Sequence, residues 1–314
     1  MEPSLQTLAG DAPLHVLKRY FLAVRPMFLT ASVLPVLVGS SWGAIHAGEW
    51  QWGVMFLAIV NVALVHASVN VLNDVYDELN GTDRLNQSRV FPFTGGSRFI
   101  QNGVLTVNQM KRYALLLLVV ATMLGMILVL LKGPAILLFG LFGVALGFLY
   151  SAPPVALASR GLGELAVALG FGVLPVLGAV WLQTGTLDLS ALLLSIPISC
   201  WVANILIMNE IPDAQADARS GKATLAVRFG LATLRGLFRV LALLSVVAAA
   251  MLAMSPEISN WGMIPLLLLF LLALRATGYI TSHEPDQKQL KPAIQQTLTI
   301  HALGCIWLVV WPWL

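Results

Sequence analysis

The chain has 314 residues, of which 58% are hydrophobic and only 11% are charged, and its formal net charge is +3. Soluble domains carry roughly 25% charged residues, and their surfaces are largely polar, so this composition excludes an ordinary soluble protein and indicates a membrane protein. Cys200 and Cys305 lie inside apolar runs, which predicts packing roles rather than a disulfide framework or a metal motif. No run of like charges suggests a nucleic-acid partner.

Long, continuous apolar runs follow one another along the chain. A membrane-spanning helix needs about 20 such residues, whereas barrel strands alternate with a period of two, so we expect an all-α integral membrane protein with one transmembrane domain over residues 1–314. The charged, partly acidic stretch before Phe21 is not typical of a cleavable signal peptide. The nine predicted spans cover residues 27–46, 53–73, 113–131, 134–151, 163–182, 189–208, 237–254, 261–280 and 293–313.

The distribution of Lys and Arg supports this count, because cytoplasmic loops of membrane proteins are enriched in basic residues. With the N-terminus in the cytoplasm, only Lys132 of the 18 basic residues falls on the outer side. An even number of spans would scramble this bias. We therefore expect a multi-pass protein of the inner (cytoplasmic) membrane, with its N-terminus and its two long polar loops on the cytoplasmic side.

Spans two and six end alike. Each is followed by a long inner loop with Asn, Asp, Gly and basic residues, and the offset from Asn73 to Asn209 is 136 residues. We interpret this as an internal repeat, and substrate sites often lie where such repeats meet.

Seven of the 15 acidic residues fall into two short windows at the ends of these spans. In the first acidic window, residues 70–83, spacings of three and four place one set of polar residues on a single helical face. His66 lies one turn deeper on that face. The members of this face are Asn70, Asn73, Asp74 and Asp77, and Asp83 follows in the loop.

In the second acidic window, residues 209–217, Asn209, Asp213 and Asp217 are four residues apart. Their side chains lie along one face of the helix if the helix continues through Pro212. A proline inside a helix removes a hydrogen bond and clashes with the preceding turn, so we expect the helix to kink or end there instead.

Carboxylates crowded at a membrane interface repel one another unless a cation lies between them. Carboxylate and amide oxygens suit Mg²⁺, which takes one or two protein carboxylates together with water and substrate phosphate. Two facing windows would hold several Mg²⁺ ions bridged by a diphosphate, with downstream basic residues contacting phosphate oxygens. The alternatives are solvated loop acids that balance loop bases and a secondary transporter with midplane polar groups. The downstream bases are Arg84, Arg89, Lys222 and Arg228.

These motifs carry a family resemblance. Asn73-Asp74-Val-Tyr-Asp77, with Asp83, and Asn209-Glu-Ile-Pro-Asp213-Ala-Gln-Ala-Asp217, with Gly221-Lys222, resemble the two aspartate-rich motifs of the UbiA superfamily of intramembrane prenyltransferases. Further segments are similar to the branch that prenylates 1,4-dihydroxy-2-naphthoate in menaquinone synthesis. Those segments are Arg25-Pro26, Leu149-Tyr150-Ser151, Arg160-Gly-Leu-Gly163-Glu164, Phe171-Gly172 and Gln183-Thr-Gly185. Glu210 departs from the branch pattern, where Asn or Asp is frequent at this position, and its longer carboxylate could change the metal geometry.

The resemblance implies nine transmembrane helices around a central cavity and Mg²⁺-dependent transfer of a polyprenyl chain from an isoprenyl diphosphate to an aromatic acceptor. For dihydroxynaphthoate it also implies loss of the carboxyl group. Hydroxybenzoate, homogentisate, chlorin, haem and lipid acceptors stay open, as do prenyl length and oligomeric state. The residues that would hold Mg²⁺ and diphosphate are Asp74, Asp77, Asp213, Asp217, Asn73 and Asn209.

The other candidate residues have two readings each. Asp83 is expected to support the metal ligands or to face the acceptor, and Tyr150 to stabilise the carbocation through its ring face or to be an interfacial residue. Arg25 would bind diphosphate or anchor span one. Arg160 would contact substrate or set topology, and His66, with Asn70, would line the acceptor pocket or form interior hydrogen bonds.

Overall fold

The computed structural model describes residues 2–8, 10, 12–255, 258–280 and 287–314, and these fold into helices without any strand. Two one-turn helices, Leu5–Leu8 and Thr82–Leu85, accompany the long ones. The helical segment Gly163–Thr184 includes a π-helical turn over Ala168–Val173. The long helices are α1 (Pro13–Ala23), α2 (Thr30–Ala47), α3 (Trp52–Leu79), α4 (Val107–Lys132), α5 (Ile136–Ser151), α6 (Gly163–Thr184), α7 (Leu189–Arg219), α8 (Leu225–Leu252), α9 (Met263–Ala276) and α10 (Gln287–Val310).

The expectation of an all-α membrane bundle is confirmed. Within the described ranges, eight helices are long and apolar enough to cross a bilayer, and the predicted span at residues 134–151 is the shorter apolar helix α5, of 16 residues. A helix of 16 residues rises about 24 Å, somewhat less than the roughly 30 Å of a hydrocarbon core. Large apolar side chains such as Leu116, Met123 and Leu130 point outward from α4, where only lipid can cover them.

The helices that carry the acidic windows extend beyond their apolar runs. Helix α3 continues to Leu79 and therefore includes both Asp74 and Asp77. Helix α7 continues through Pro212 to Arg219, so the expectation that the helix ends at Pro212 is wrong. The proline removes one hydrogen bond, but α7 is the most buried of the candidate spans, and its packing keeps the chain helical.

The predicted outer loops lie together at the opposite end of α3. The backbone N–H of Gln51 donates to Oε1 of Gln183 at 3.0 Å, and the ammonium of Lys132 donates to the Gln51 side chain. The ring of Trp50 stacks on Trp52 and Trp313 with centroids 4.5 and 5.8 Å apart. Lys132, the single basic residue predicted to lie outside, therefore lies among the loops that are predicted to be on that side.

Candidate active site

A cavity of about 520 Å³ runs between helices α2 to α7. Carboxylate and amide side chains line the end formed by the C-terminal ends of α3 and α7. Aliphatic side chains line the rest, including Val36, Leu128, Ile136 and Leu182. A cavity with one polar end and a long apolar body suits a molecule with an anionic head and a hydrocarbon tail.

The first acidic window presents Asn73 and Asp77 to this cavity. Nδ2 of Asn73 donates to Oδ2 of Asp77 at 3.3 Å, while Nη2 of Arg25 donates to Oδ1 of Asn73 at 3.2 Å. Asp74 is 2% exposed and is not among the lining residues; its Oδ1 lies 3.7 Å from the Arg25 guanidinium. The helical spacing therefore brings the predicted residues together, with Asp74 one layer behind the cavity wall.

The second acidic window presents Asn209, Asp213 and Asp217. All three lie on one line because α7 remains helical past Pro212. Oδ1 of Asp213 accepts a hydrogen bond from Nδ2 of Asn86 at 2.6 Å. The Oδ1 atom of Asn209 is buried and has no hydrogen-bond partner in the structure, so it is free to accept a ligand.

Lys222 joins the two windows. Its Nζ lies 2.6 Å from Oδ1 of Asp77 and 3.7 Å from Oδ1 of Asp217. Burial lowers the pKa of Lys222, but the two carboxylates raise it, and the net result is a pKa above the ordinary lysine value. A charged ammonium therefore lies between carboxylates from α3 and α7, where mutual repulsion would otherwise be greatest.

The turns that follow α3 and α7 are alike. Gly81 and Gly221 both adopt a left-handed φ of +82°, a conformation that favours glycine. The hydroxyl of Thr82 donates to that of Ser220 at 2.8 Å, so the two turns touch. The internal repeat over the whole chain stays a prediction.

Residues 86–98, here called the cap segment, donate hydrogen bonds to both windows, and apart from Arg89 none of them is among the residues predicted from the sequence. The backbone N–H of Ser97 donates to Oδ2 of Asp74 at 3.1 Å, and that of Gly95 donates to Oδ2 of Asp213 at 3.3 Å. Buried Arg98 donates to the backbone carbonyl of Asp83 and, at 2.8 Å, to that of Asn86. The consecutive glycines at 95 and 96, next to a basic residue, were the available signal for a structured loop.

Asp83 lies under the cap segment, outside the spans, and is 2% exposed. Burial raises the pKa of Asp83 to about 8, and the nearby carboxylates of Asp77 and Asp74 contribute to the rise. Nε2 of Gln101 donates to its Oδ2 at 3.0 Å. At neutral pH the Asp83 carboxyl is therefore mostly protonated.

Four of the predicted basic residues are not among the cavity-lining residues of the described chain. Arg84 pairs with Glu78, and its side chain is 73% exposed. Arg89 pairs with Glu2 at 2.7 Å. Nη2 of Arg160 donates to the carbonyl of Pro154 at 2.7 Å, and Arg228 packs near the turn that precedes α6. Of the predicted bases, Lys222 and Arg25 line the cavity.

The middle of the cavity carries the remaining candidates. Nδ1 of His66 shares a hydrogen bond with the Ser32 hydroxyl at 3.0 Å, and its ring lies 4.5 Å from that of Phe171. Tyr150 lines the same region. Asn70 also lines it, while its Nδ2 donates to the carbonyl of Val24 at 2.9 Å. Oε2 of Glu210 accepts from the backbone N–H of Ala226 at 3.2 Å.

The described side chains of the site do not form a complete metal-binding cluster by themselves, so a substrate would have to supply further ligands. Among the described residues, no three carboxylate, imidazole or thiol groups converge as a ready-made metal cluster. The donors are hard oxygens, including the Oδ1 atoms of Asp74 and Asn209, which accept no hydrogen bond within the described chain. This set suits Mg²⁺, which usually completes its coordination with water and phosphate oxygens.

A multi-pass helical bundle with an apolar cavity that ends in facing carboxylate windows is the architecture of an intramembrane enzyme. Residues 32–303 match the model of the UbiA prenyltransferase family. The chain belongs to this family and is an intramembrane prenyltransferase.

The relatives point to one branch. The chain is 31% identical over 275 residues to a 1,4-dihydroxy-2-naphthoate octaprenyltransferase of Mycobacterium tuberculosis, covering 87% of this chain and 89% of that one. It is 28% identical over 282 residues to the Escherichia coli protein of the same name, covering 88% and 89%. A solved UbiA homolog from Archaeoglobus fulgidus bound to GPP and Mg²⁺ shares the fold, with a TM-score of 0.60 at 17% identity, over 92% of this chain and 99% of that one.

Proposed function

We propose that this protein transfers a polyprenyl chain from an isoprenyl diphosphate to 1,4-dihydroxy-2-naphthoate, with loss of the acceptor's carboxyl group, in a Mg²⁺-dependent reaction. The observation that carries the proposal is the pair of facing carboxylate windows at the polar end of an apolar cavity. The names of the bacterial relatives support the acceptor. The homolog that binds GPP and Mg²⁺ supports the donor and the metal.

The diphosphate would lie between the two windows, where Lys222 and Arg25 supply positive charge. Asp77, Asp213 and Asp217, with the free amide oxygen of Asn209, would hold Mg²⁺ there. Asp74 would contribute through its Oδ1, which accepts no hydrogen bond from the described residues and lies 3.7 Å from the Arg25 guanidinium. Bound Mg²⁺ would neutralise negative charge on the departing diphosphate.

In the proposed reaction, the allylic C–O bond breaks and its electron pair leaves with the diphosphate. The electron-rich aromatic carbon that bears the acceptor's carboxylate then attacks the allylic carbocation and forms the new C–C bond; the bond from this carbon to the carboxylate breaks, its electron pair restores the aromatic ring, and CO₂ leaves. The aliphatic walls exclude water that would quench the cation. The ring faces of Tyr150 and Phe171, which both line the cavity, would stabilise the allylic carbocation that forms when the C–O bond breaks.

The experiment uses purified protein in lipid nanodiscs with geranylgeranyl diphosphate and a panel of aromatic acceptors, with Mg²⁺ or chelator, and mass detection of products. We expect a prenylated, decarboxylated naphthoquinol with Mg²⁺ only. Product from a different acceptor would refute the naphthoate assignment and retain the donor site. Absence of diphosphate release from folded protein with every acceptor would refute the proposed reaction.

A further inference from the structure

Helix α1 has an exposed apolar stripe. Leu14, Leu17 and Phe21 are 73%, 67% and 56% exposed, and their spacing of three and four places them on one helical face. The opposite face packs on the protein, because Ala23 is fully buried and the ring of Tyr20 lies 4.7 Å from that of Tyr113. No described residue covers the stripe.

The C-terminal end of α1 is fixed beside the inner end of α3. The carbonyl of Val24 accepts a hydrogen bond from Asn70, one turn before Asp74. Arg25 then adopts a left-handed conformation, with φ 54° and ψ 63°, which breaks the helix immediately before the first span begins at Pro26. Helix α1 is therefore separate from the first span. Its C-terminal end lies at the level where the apolar side chains of α3 give way to the first acidic window.

The charge pattern of α1 fits a lipid headgroup layer. On a helical wheel, Lys18 lies between Leu14 and Leu22 at the edge of the stripe, and it is exposed. His15 and Arg19 follow on the polar side. Lysine at such an edge extends its ammonium toward phosphates while its methylenes cover apolar surface, and basic amphipathic helices bind anionic membrane surfaces.

We infer that α1 lies in the interface of the bilayer, with its stripe in the acyl boundary and Lys18 among anionic headgroups. A second copy of the chain is a poorer occupant. A stable protein interface buries about 800 Å² on each partner, and three side chains on an 11-residue helix offer far less. The bilayer, in contrast, already surrounds the first span that follows α1.

The test places an environment-sensitive fluorophore on the L17C variant in nanodiscs. The native cysteines are buried, so labelling of the unmodified chain provides the background. The matched control is H15C, on the polar side of the same helix. We expect lipid carrying a shallow spin-label quencher to quench the probe at position 17 several-fold more than the probe at position 15, and aqueous iodide to show the reverse order.

Equal access of iodide to both probes would overturn the inference, as would probe-to-probe contact between two copies at position 17. A second comparison uses nanodiscs with and without anionic lipid. The blue shift of the position-17 probe should increase with anionic lipid and lose this dependence in the K18Q background. A dependence that persists in K18Q would overturn the role given to Lys18.

Discussion

Replacing Arg98 by Ala tests whether the cap segment organises both acidic windows. The guanidinium of Arg98 is buried and donates to two backbone carbonyls, those of Asp83 and Asn86. Hydrogen bonds from charged groups contribute about 1.5–3 kcal/mol each, so the loss of two disfavours the ordered cap by about 3 kcal/mol. Residue 98 has a φ of 67°, which strains Arg and Ala alike. Backbone strain therefore does not contribute to the difference between R98A and wild type.

A penalty of about 3 kcal/mol corresponds to about 100-fold in an equilibrium constant. If the ordered cap is required for binding, the apparent Kd for isoprenyl diphosphate with Mg²⁺ should rise by up to that factor. Calorimetric titration of protein in nanodiscs measures it, and R112A, at an exposed arginine, is the control. A Kd for R98A within about threefold of wild type would refute the reasoning, since that difference is under 1 kcal/mol.

Three further outcomes are expected. Lys222→Met removes the ammonium between the two windows, so the Tm without ligand should fall; the increase on adding Mg²⁺ and diphosphate should be smaller than in wild type, because one positive charge for the diphosphate is lost, and an equal increase would contradict this. Gly96→Ala should weaken diphosphate binding, because its Cβ would lie 2.7 Å from Oδ2 of Asp83 and would displace that carboxyl, whereas Gly221→Ala, at a similar φ with open space around it, should cost only about 1–2 kcal/mol of strain. Burial raises the pKa of Asp83 from 3.8 to about 8, so the stability that its protonated form contributes is full below the unfolded pKa and is lost progressively until the pH reaches the folded pKa of about 8; thermal melts of Asp83→Asn without metal should lack this loss, and identical profiles would refute the assignment.

The sequence predicted the helices and the face of α3 because both follow from local periodicity. Each of the nine predicted apolar runs coincides with one of the helices α2 to α10 of the described chain, and the three-and-four spacing placed Asn73 and Asp77 at one cavity. Lys222, one of the downstream bases expected to contact phosphate, lies between the two windows, and its phosphate contact stays a prediction.

The failures arose where tertiary contacts decide the outcome. Local sequence favoured an interruption at Pro212, but the packing of α7 keeps it helical. Arg84 and Arg89 had the right charge in the right loop, yet their partners are Glu78 and Glu2. Backbone hydrogen bonds from the cap segment to the two windows depend on a loop conformation, which residue types alone do not specify.

A double-mutant cycle tests the central claim that α3 and α7 form one diphosphate site. The variants are D77N, D213N and the double variant, and the measurement is Mg²⁺-dependent binding of isoprenyl diphosphate in nanodiscs. If both carboxylates serve one site, the losses should be strongly non-additive, with the double variant little worse than either single one. Losses that add independently, or binding that persists in the double variant, would contradict the account.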